Sequence, residues 1–179
     1  GREGAINILY QKRIWHSGPW AKLYKRNLIL STEMFREGIR FEDLEISPRH
    51  FLAANRVAVT SCRLYFYRNH NLSFINSWAD SRLDSLKVTE SILNQAKASG
   101  DRELRTAAIS RRFSANFNIL LSLLKRGKYD DARRCWAVIR AYRWRALTDP
   151  KVRFKKKAGA LLSCGGFGFC RLIARWLGK

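Results

Sequence analysis

The chain has 179 residues, of which 46% are hydrophobic and 12% aromatic, so its composition is that of a globular domain and excludes wholesale disorder. It carries 35 Lys and Arg residues against 14 Asp and Glu residues, a formal net charge of +21. This excess favours a polyanionic partner, which could be nucleic acid, an anionic lipid surface or a phosphorylated ligand. The weakly polar run at 158–170 is too short to cross a bilayer, which takes about 20 residues.

The N-terminal part of the chain is predicted to combine short helices with strands. Residues 6–14 and 21–30 are apolar enough for two short elements, with a turn at 17–19 between them. Residues 31–43 are predicted to form a loop, and a short helix is expected after Pro48, through Ala54. The β-branched and aromatic residues at 57–67 predict one or two strands, which are followed by a polar loop.

From Asp80 onward the apolar spacing becomes helical. One helix is predicted to end at Gly100, and Asp101 is expected to cap a second helix that Gly127 ends. A third helix begins near Asp130, and its basic residues lie in its C-terminal half, as the helix dipole favours. The four cysteines form no Cys-x-x-Cys pair, which predicts reduced thiols in a cytosolic protein; they are Cys62, Cys135, Cys164 and Cys170.

The last segment, residues 149–179, differs from the helices before it because its charge has one sign. From Lys151 it contains eight basic residues and no acidic ones. Its apolar residues Phe169, Leu172, Ile173, Trp176 and Leu177 share one helical face. The pattern predicts a helix that lies in the interface of an anionic membrane. The alternative is a terminal helix packed on the protein's own core.

Acidic residues are scarce in this chain, yet Glu42, Asp43 and Glu45 lie within four positions of one another. Carboxylates that follow a glycine-containing loop and precede an apolar segment can act as a general base. They can equally stabilise a helix N-terminus without any catalytic function. Spacing alone favours the second reading, an acid at a helix N-terminus.

Three segments in order give the acidic pair a context. They are Trp20-Ala-Lys22-Leu23-Tyr24-Lys25-Arg26, Phe35-Arg-Glu-Gly38-Ile39-Arg-Phe41-Glu42-Asp43-Leu44-Glu45, and Leu64-Tyr65-Phe66-Tyr67-Arg68-Asn-His70-Asn-Leu-Ser73. The series resembles the second half of bacterial family 2 glycosyltransferases, over roughly residues 5 to 78. The resemblance implies an α+β remnant of a GT-A domain in residues 1–78. The apolar spacing and the charge described above predict a helical extension at 79–148 and a basic, membrane-associating tail at 149–179.

The resemblance also implies roles for the residues that match. Asp43 would deprotonate the acceptor hydroxyl in an inverting displacement, and Glu42 would share or support that role. Arg68 and His70 would bind the donor diphosphate, with His70 as a possible ligand of a divalent metal, Mg or Mn. Trp20 and Lys22 would border the acceptor site. The structural alternatives are an ordinary loop histidine for His70 and simple packing for Trp20 and Lys22.

One departure from the family pattern is large. The sequence contains no Asp-x-Asp metal motif and no parallel βαβ series before Gly18, which in that family form the donor half. We therefore expect a fragment that is inactive alone. In the longer enzyme we expect a nucleotide-sugar donor and a glycan or lipid-linked acceptor, used for cell-surface polysaccharide synthesis at the cytoplasmic face of the membrane.

Two other functions compete with this prediction. The positive charge and interspersed aromatic residues would suit a nucleic-acid-binding module, although no known nucleic-acid motif is present and the predicted partners do not include nucleic acid. Residues 80–179 alone would also suit a non-catalytic, membrane-associated helical protein.

Overall fold

The computed structural model of the chain describes residues 1–12, 14–68 and 80–176. It divides into two compact units, Gly1–Val88 and Thr89–Lys179. The helices in chain order are α1 (Arg2–Tyr10), α2 (Arg26–Leu30), α3 (Glu42–Ala53), α4 (Asp84–Ala98), α5 (Arg102–Lys125), α6 (Tyr129–Thr148), α7 (Phe154–Ser163) and α8 (Gly166–Trp176). A 3-10 turn at Asp80–Leu83 leads into α4.

The first unit is built around the contact between α1 and α3. Helix α1 buries nearly all of its length, from Gly4 to Tyr10, and α3 contributes Leu44, Ile46 and Phe51 to the same core. Gly4 lets the two helices come close, since a Cβ there would lie 2.3 Å from the Phe51 ring. The N-terminus of α3 is thereby held against a buried scaffold.

The predicted α+β fold is wrong: every regular element in the described part of the chain is a helix, and none is a strand. Residues 57–67 have strand-forming side chains but pair with no other segment in the described ranges. Leu64 is 82% exposed and Phe66 is 92% exposed. Strand propensity mostly reflects packing on a sheet, and a strand needs a neighbour for its backbone hydrogen bonds.

Helix α3 starts earlier than the sequence predicts, at Glu42 rather than after Pro48. Proline lacks the amide hydrogen that an interior helical position normally donates, so a proline in the sequence favours a helix boundary. The structure places Pro48 inside the helix, where it is buried. The acidic residues therefore lie in the first turn of α3 and not in a loop.

The helical predictions for the second half of the chain are confirmed. Asp101 caps α5, because its carboxylate accepts hydrogen bonds from the backbone N–H groups of Glu103 and Leu104 at 2.9 and 3.0 Å. Gly127 follows α5 with a φ of 72°, which only glycine adopts without strain. In the second unit α5 packs on α6 and α8, and α7 packs on α6 and α8.

The C-terminal segment forms two helices, α7 and α8, separated by Cys164 and Gly165. Among the described residues no helix is both long and apolar enough to cross a membrane. All four cysteines are free thiols, with Cys135 and Cys170 buried. Burial raises the pKa of the Cys135 thiol to about 11, and the negative charge of Asp131 adds to this.

Candidate functional site

A loop between α1 and α2 is fixed to the N-terminal turn of α3 through Ser17. The Ser17 hydroxyl donates to Asp43 Oδ2 at 2.9 Å, and its carbonyl oxygen accepts a hydrogen bond from the Ser47 hydroxyl. Asp43 and Ser47 are four residues apart, so they lie on one face of α3. One serine thus connects the loop to two successive turns of the helix.

The Asp43 carboxylate is half-buried and is used for this contact rather than for capping its own helix. Phe41 occupies the N-cap position of α3, and its side chain makes no capping hydrogen bond. Asp43 lies in the first turn, which is also the position predicted by the structural alternative, an acid that stabilises a helix N-terminus. The position still benefits from the positive end of the helix dipole, which favours negative charge in the first turn.

Lys22 brings a cation to the same place. Its ammonium lies 3.1 Å from His16 Nδ1 and also donates to the carbonyl oxygen of Gly18. Burial lowers the pKa of Lys22 to about 8, and the negative charge of Asp43 opposes that shift. Burial also lowers the pKa of His16, and the charge of Lys22 lowers it further. The group therefore combines the amine of Lys22, the imidazole of His16 and the carboxyl group of Asp43.

Aromatic rings form a wall beside these polar groups. The Trp20 indole stacks on the His16 ring with centroids 5.5 Å apart, and it meets the Tyr67 ring at 5.4 Å. Trp20 also covers Gly18 so closely that a Cβ there would lie 2.2 Å from the indole. A wall of this kind offers flat apolar faces next to groups that form hydrogen bonds.

Two residues that flank the cluster have backbone angles that side chains disfavour. Ala21 has a φ of 57°, and Phe41 has a φ of 65°. A left-handed conformation costs a residue with a Cβ roughly 1–2 kcal/mol. Such strain is concentrated at functional sites, where the surrounding structure maintains it.

The structure does not connect the other predicted site residues to the cluster around Asp43 by a hydrogen bond or an ion pair among the described residues. Glu42 is half-buried and makes no hydrogen bond or ion pair with the Asp43 cluster in the described part of the chain. Arg68 is exposed and directly follows Tyr67, which contacts Trp20. His70 lies outside the described residues. Glu45, the third acid of the sequence cluster, is buried and pairs with Arg36 at 3.3 Å.

The residues around Asp43 do not fit a divalent cation. No group of three or more His, Cys, Asp or Glu side chains comes together within the described ranges. The nearest candidates, Asp43 and His16, have the ammonium of Lys22 beside them, and its charge would repel a metal ion.

Four residues of the cluster were missed by the sequence reading: His16, Ser17, Ser47 and Tyr67. The sequence predicts only a turn at 17–19, and a serine in a turn carries no chemical signature that would single out Ser17. The sequence does not predict a role for Ser47, because the helix is expected to begin only after Pro48.

Comparison with protein-family models, with curated proteins and with solved structures found no match.

Proposed function

We propose that this chain supplies the acceptor side of a glycosyltransferase that moves a sugar from a nucleotide-diphospho-sugar to a hydroxyl of a glycan or lipid-linked acceptor. The observation that carries the proposal is the setting of Asp43, a half-buried carboxylate held by Ser17 beside a cation and an aromatic wall. The order of the three sequence segments adds support, since Lys22 and Asp43 come from two of them.

In the proposed reaction Asp43 is the general base. Its Oδ2 accepts the Ser17 hydrogen bond, which leaves Oδ1 to take the proton of the acceptor hydroxyl. The acceptor oxygen forms a bond to the anomeric carbon while the bond from that carbon to the diphosphate oxygen breaks. The configuration inverts, and the nucleoside diphosphate leaves with the bonding electrons.

The remaining side chains of the site would orient the acceptor. Trp20 and Tyr67 provide ring faces on which the apolar face of a sugar can stack, and Lys22 provides an ammonium for its hydroxyl groups. Arg68 follows Tyr67 and, with His70, would bind the donor diphosphate, whose negative charge grows as the sugar leaves. Glu42, the neighbour of Asp43 in the first turn of α3, would share or support its role.

The donor pocket is expected outside this sequence, so the proposal concerns an enzyme that includes a nucleotide-sugar-binding half and its metal requirement. A lipid-linked acceptor would place that enzyme peripherally on the cytoplasmic face of the cell membrane. Cell-surface polysaccharide synthesis is the process that fits such an acceptor.

Carbohydrate binding by the chain itself tests the acceptor site. Saturation-transfer NMR with a panel of oligosaccharides should show contact with sugar C–H groups, and Trp20→Ala should weaken binding about tenfold through loss of the ring face. Trp144→Ala is the matched control, since Trp144 is an exposed tryptophan in the second unit. If no oligosaccharide binds, or if both variants bind as the wild type does, the acceptor site is not where we place it.

A further inference from the structure

In helices α7 and α8 the small residues are buried and the large apolar residues are exposed, which is the reverse of the usual arrangement. Helix α7 packs through Gly159, Ala160 and Ser163, which are all small and buried. Gly159 approaches Phe117 of α5 so closely that a Cβ would lie 2.9 Å from the ring. The small residues of α7 therefore form the face that packs against the other helices of the second unit.

The large apolar residues of α7 lie on the opposite face. Phe154, Ala158, Leu161 and Leu162 follow the spacing of one helical stripe. Phe154 is 84% exposed and Leu161 is 63% exposed. In a helix that only completes a soluble core, these residues would be expected inside and the small ones outside.

Helix α8 repeats the pattern. Its buried residues are Cys170 and Ala174, while Leu172 and Trp176 are 63% and 77% exposed. Phe169 lies on the same exposed side and leans over Gly165 in the connection to α7. Because α7 and α8 pack against each other, two adjacent helices present large apolar side chains to the surroundings.

The charged residues of this segment itself all have one sign. Residues 151–176 contain seven Lys and Arg residues and no Asp or Glu. Lys155 and Lys157 fall on the two flanks of the α7 stripe, and Arg175 is exposed on α8. Long basic side chains at the border of an apolar face can extend towards phosphate groups while their stems stay in apolar contact.

We infer that the exposed faces of α7 and α8 form one membrane-docking surface that inserts Phe154, Leu161, Leu162, Phe169, Leu172 and Trp176 between anionic lipid headgroups. An apolar stripe with tryptophan and phenylalanine, on helices whose own charged residues are all cations, is the pattern of helices that lie in a bilayer interface. The complementary charge selects an anionic surface, to which each nearby basic residue is attracted. This inference is independent of the proposed glycosyl transfer.

The test uses the complete 179-residue chain and vesicles of phosphatidylcholine with and without phosphatidylglycerol. The wild type should co-sediment with the anionic vesicles and only weakly with the neutral ones. The double variant Leu161→Gln/Leu172→Gln should lower the partition coefficient at least about tenfold, because it removes two exposed apolar side chains from the inserted face. Both residues are exposed, so circular dichroism should show unchanged helix content.

The matched control is Leu64→Gln/Phe66→Gln, which removes two exposed apolar residues of the first unit and should leave vesicle binding unchanged. Three results would overturn the inference. They are a wild type that stays in the supernatant, a Leu161→Gln/Leu172→Gln variant that binds as the wild type does, and equal binding to neutral and anionic vesicles. Salt-sensitive RNA binding without vesicle binding would point to a nucleic-acid surface instead.

Discussion

At the scale of single residues, the site depends on how Ser17 and Lys22 hold one loop against α3. Ser17 uses both its hydroxyl and its carbonyl oxygen in this contact, and Lys22 closes the loop through Gly18 and His16. The sequence resemblance predicted Trp20, Lys22 and Asp43 for one site, and the structure brings Lys22 and Asp43 into electrostatic range. The resemblance could not predict Ser17, because a serine in a turn carries no chemical signature of its own.

The pKa of Lys22 makes the site sensitive to alkaline pH. Below about 8 the side chain is an ammonium that donates to His16 and Gly18, and above that value it becomes a neutral amine. We expect oligosaccharide affinity to fall about threefold to tenfold as the pH rises through this value, as the loss of one or two hydrogen bonds to a charged group implies. NMR titrations over a pH series would measure the fall.

Lys22→Arg is the informative variant for this effect. A guanidinium stays charged throughout the accessible range, so the variant should bind oligosaccharides without the alkaline fall. If Lys22→Arg lost affinity over the same pH range as the wild type, some group other than Lys22 would be responsible.

At the scale of elements, helices were predictable where spacing and caps agree and strands were not. Asp101 and Gly127 mark the ends of α5 by local chemistry that needs no tertiary partner. A strand at 57–67 would need a neighbour that the described residues do not supply, so its side chains alone could not predict its state. Pro48 predicted a helix boundary where the structure has a continuous helix. The tertiary packing of α3 outweighs the loss of one backbone hydrogen bond at the proline.

The packing of α7 can be tested at Gly159. Gly159→Val should destabilise the second unit by about 2 kcal/mol, because the added side chain would overlap the Phe117 ring. Gly168→Ala in α8 is the matched control, since no atom lies within 4 Å of a Cβ there. It should be neutral or stabilise by about 0.5–1 kcal/mol through better helix propensity. Equal urea midpoints for the two variants would show that α7 does not pack by its small face.

At the scale of the whole molecule, the excess of positive charge lowers the stability of the folded state where a cation is buried beside other cations. Burial lowers the pKa of Lys156 to about 7, and the neighbouring charges of Arg111 and Arg153 lower it further. The sequence predicted the excess of charge but not where it would be buried, because that depends on how α5 and the start of α7 are arranged.

This burial predicts that stability rises with pH. Between pH 7 and 9 the folded chain binds fewer protons at Lys156 than the unfolded chain, whose lysine keeps an ordinary pKa of 10.5. Lys22, with a pKa of about 8, acts in the same direction. We expect Lys156 to contribute about 1 kcal/mol over this window, after allowance for its partial contact with water.

Thermal unfolding measured across pH 7 to 9 would test this expectation. Lys156→Met should be more stable than the wild type at pH 7 and should show a flatter pH dependence. A variant with the same pH dependence as the wild type would mean that Lys156 stays charged in the folded state.

The proposed role of Asp43 as the base of a glycosyl transfer can be tested by the transfer rate of Asp43→Asn in the enzyme with its donor-binding half present. We expect a loss of about 10²–10⁴-fold in kcat with donor affinity unchanged, because the amide cannot take up the acceptor's proton. The neighbouring Glu42→Gln should lose less than about tenfold, since Glu42 makes no hydrogen bond or ion pair with the cluster among the described residues. Transfer by Asp43→Asn at the wild-type rate, or an equal loss in Glu42→Gln, would show that Asp43 is not the base.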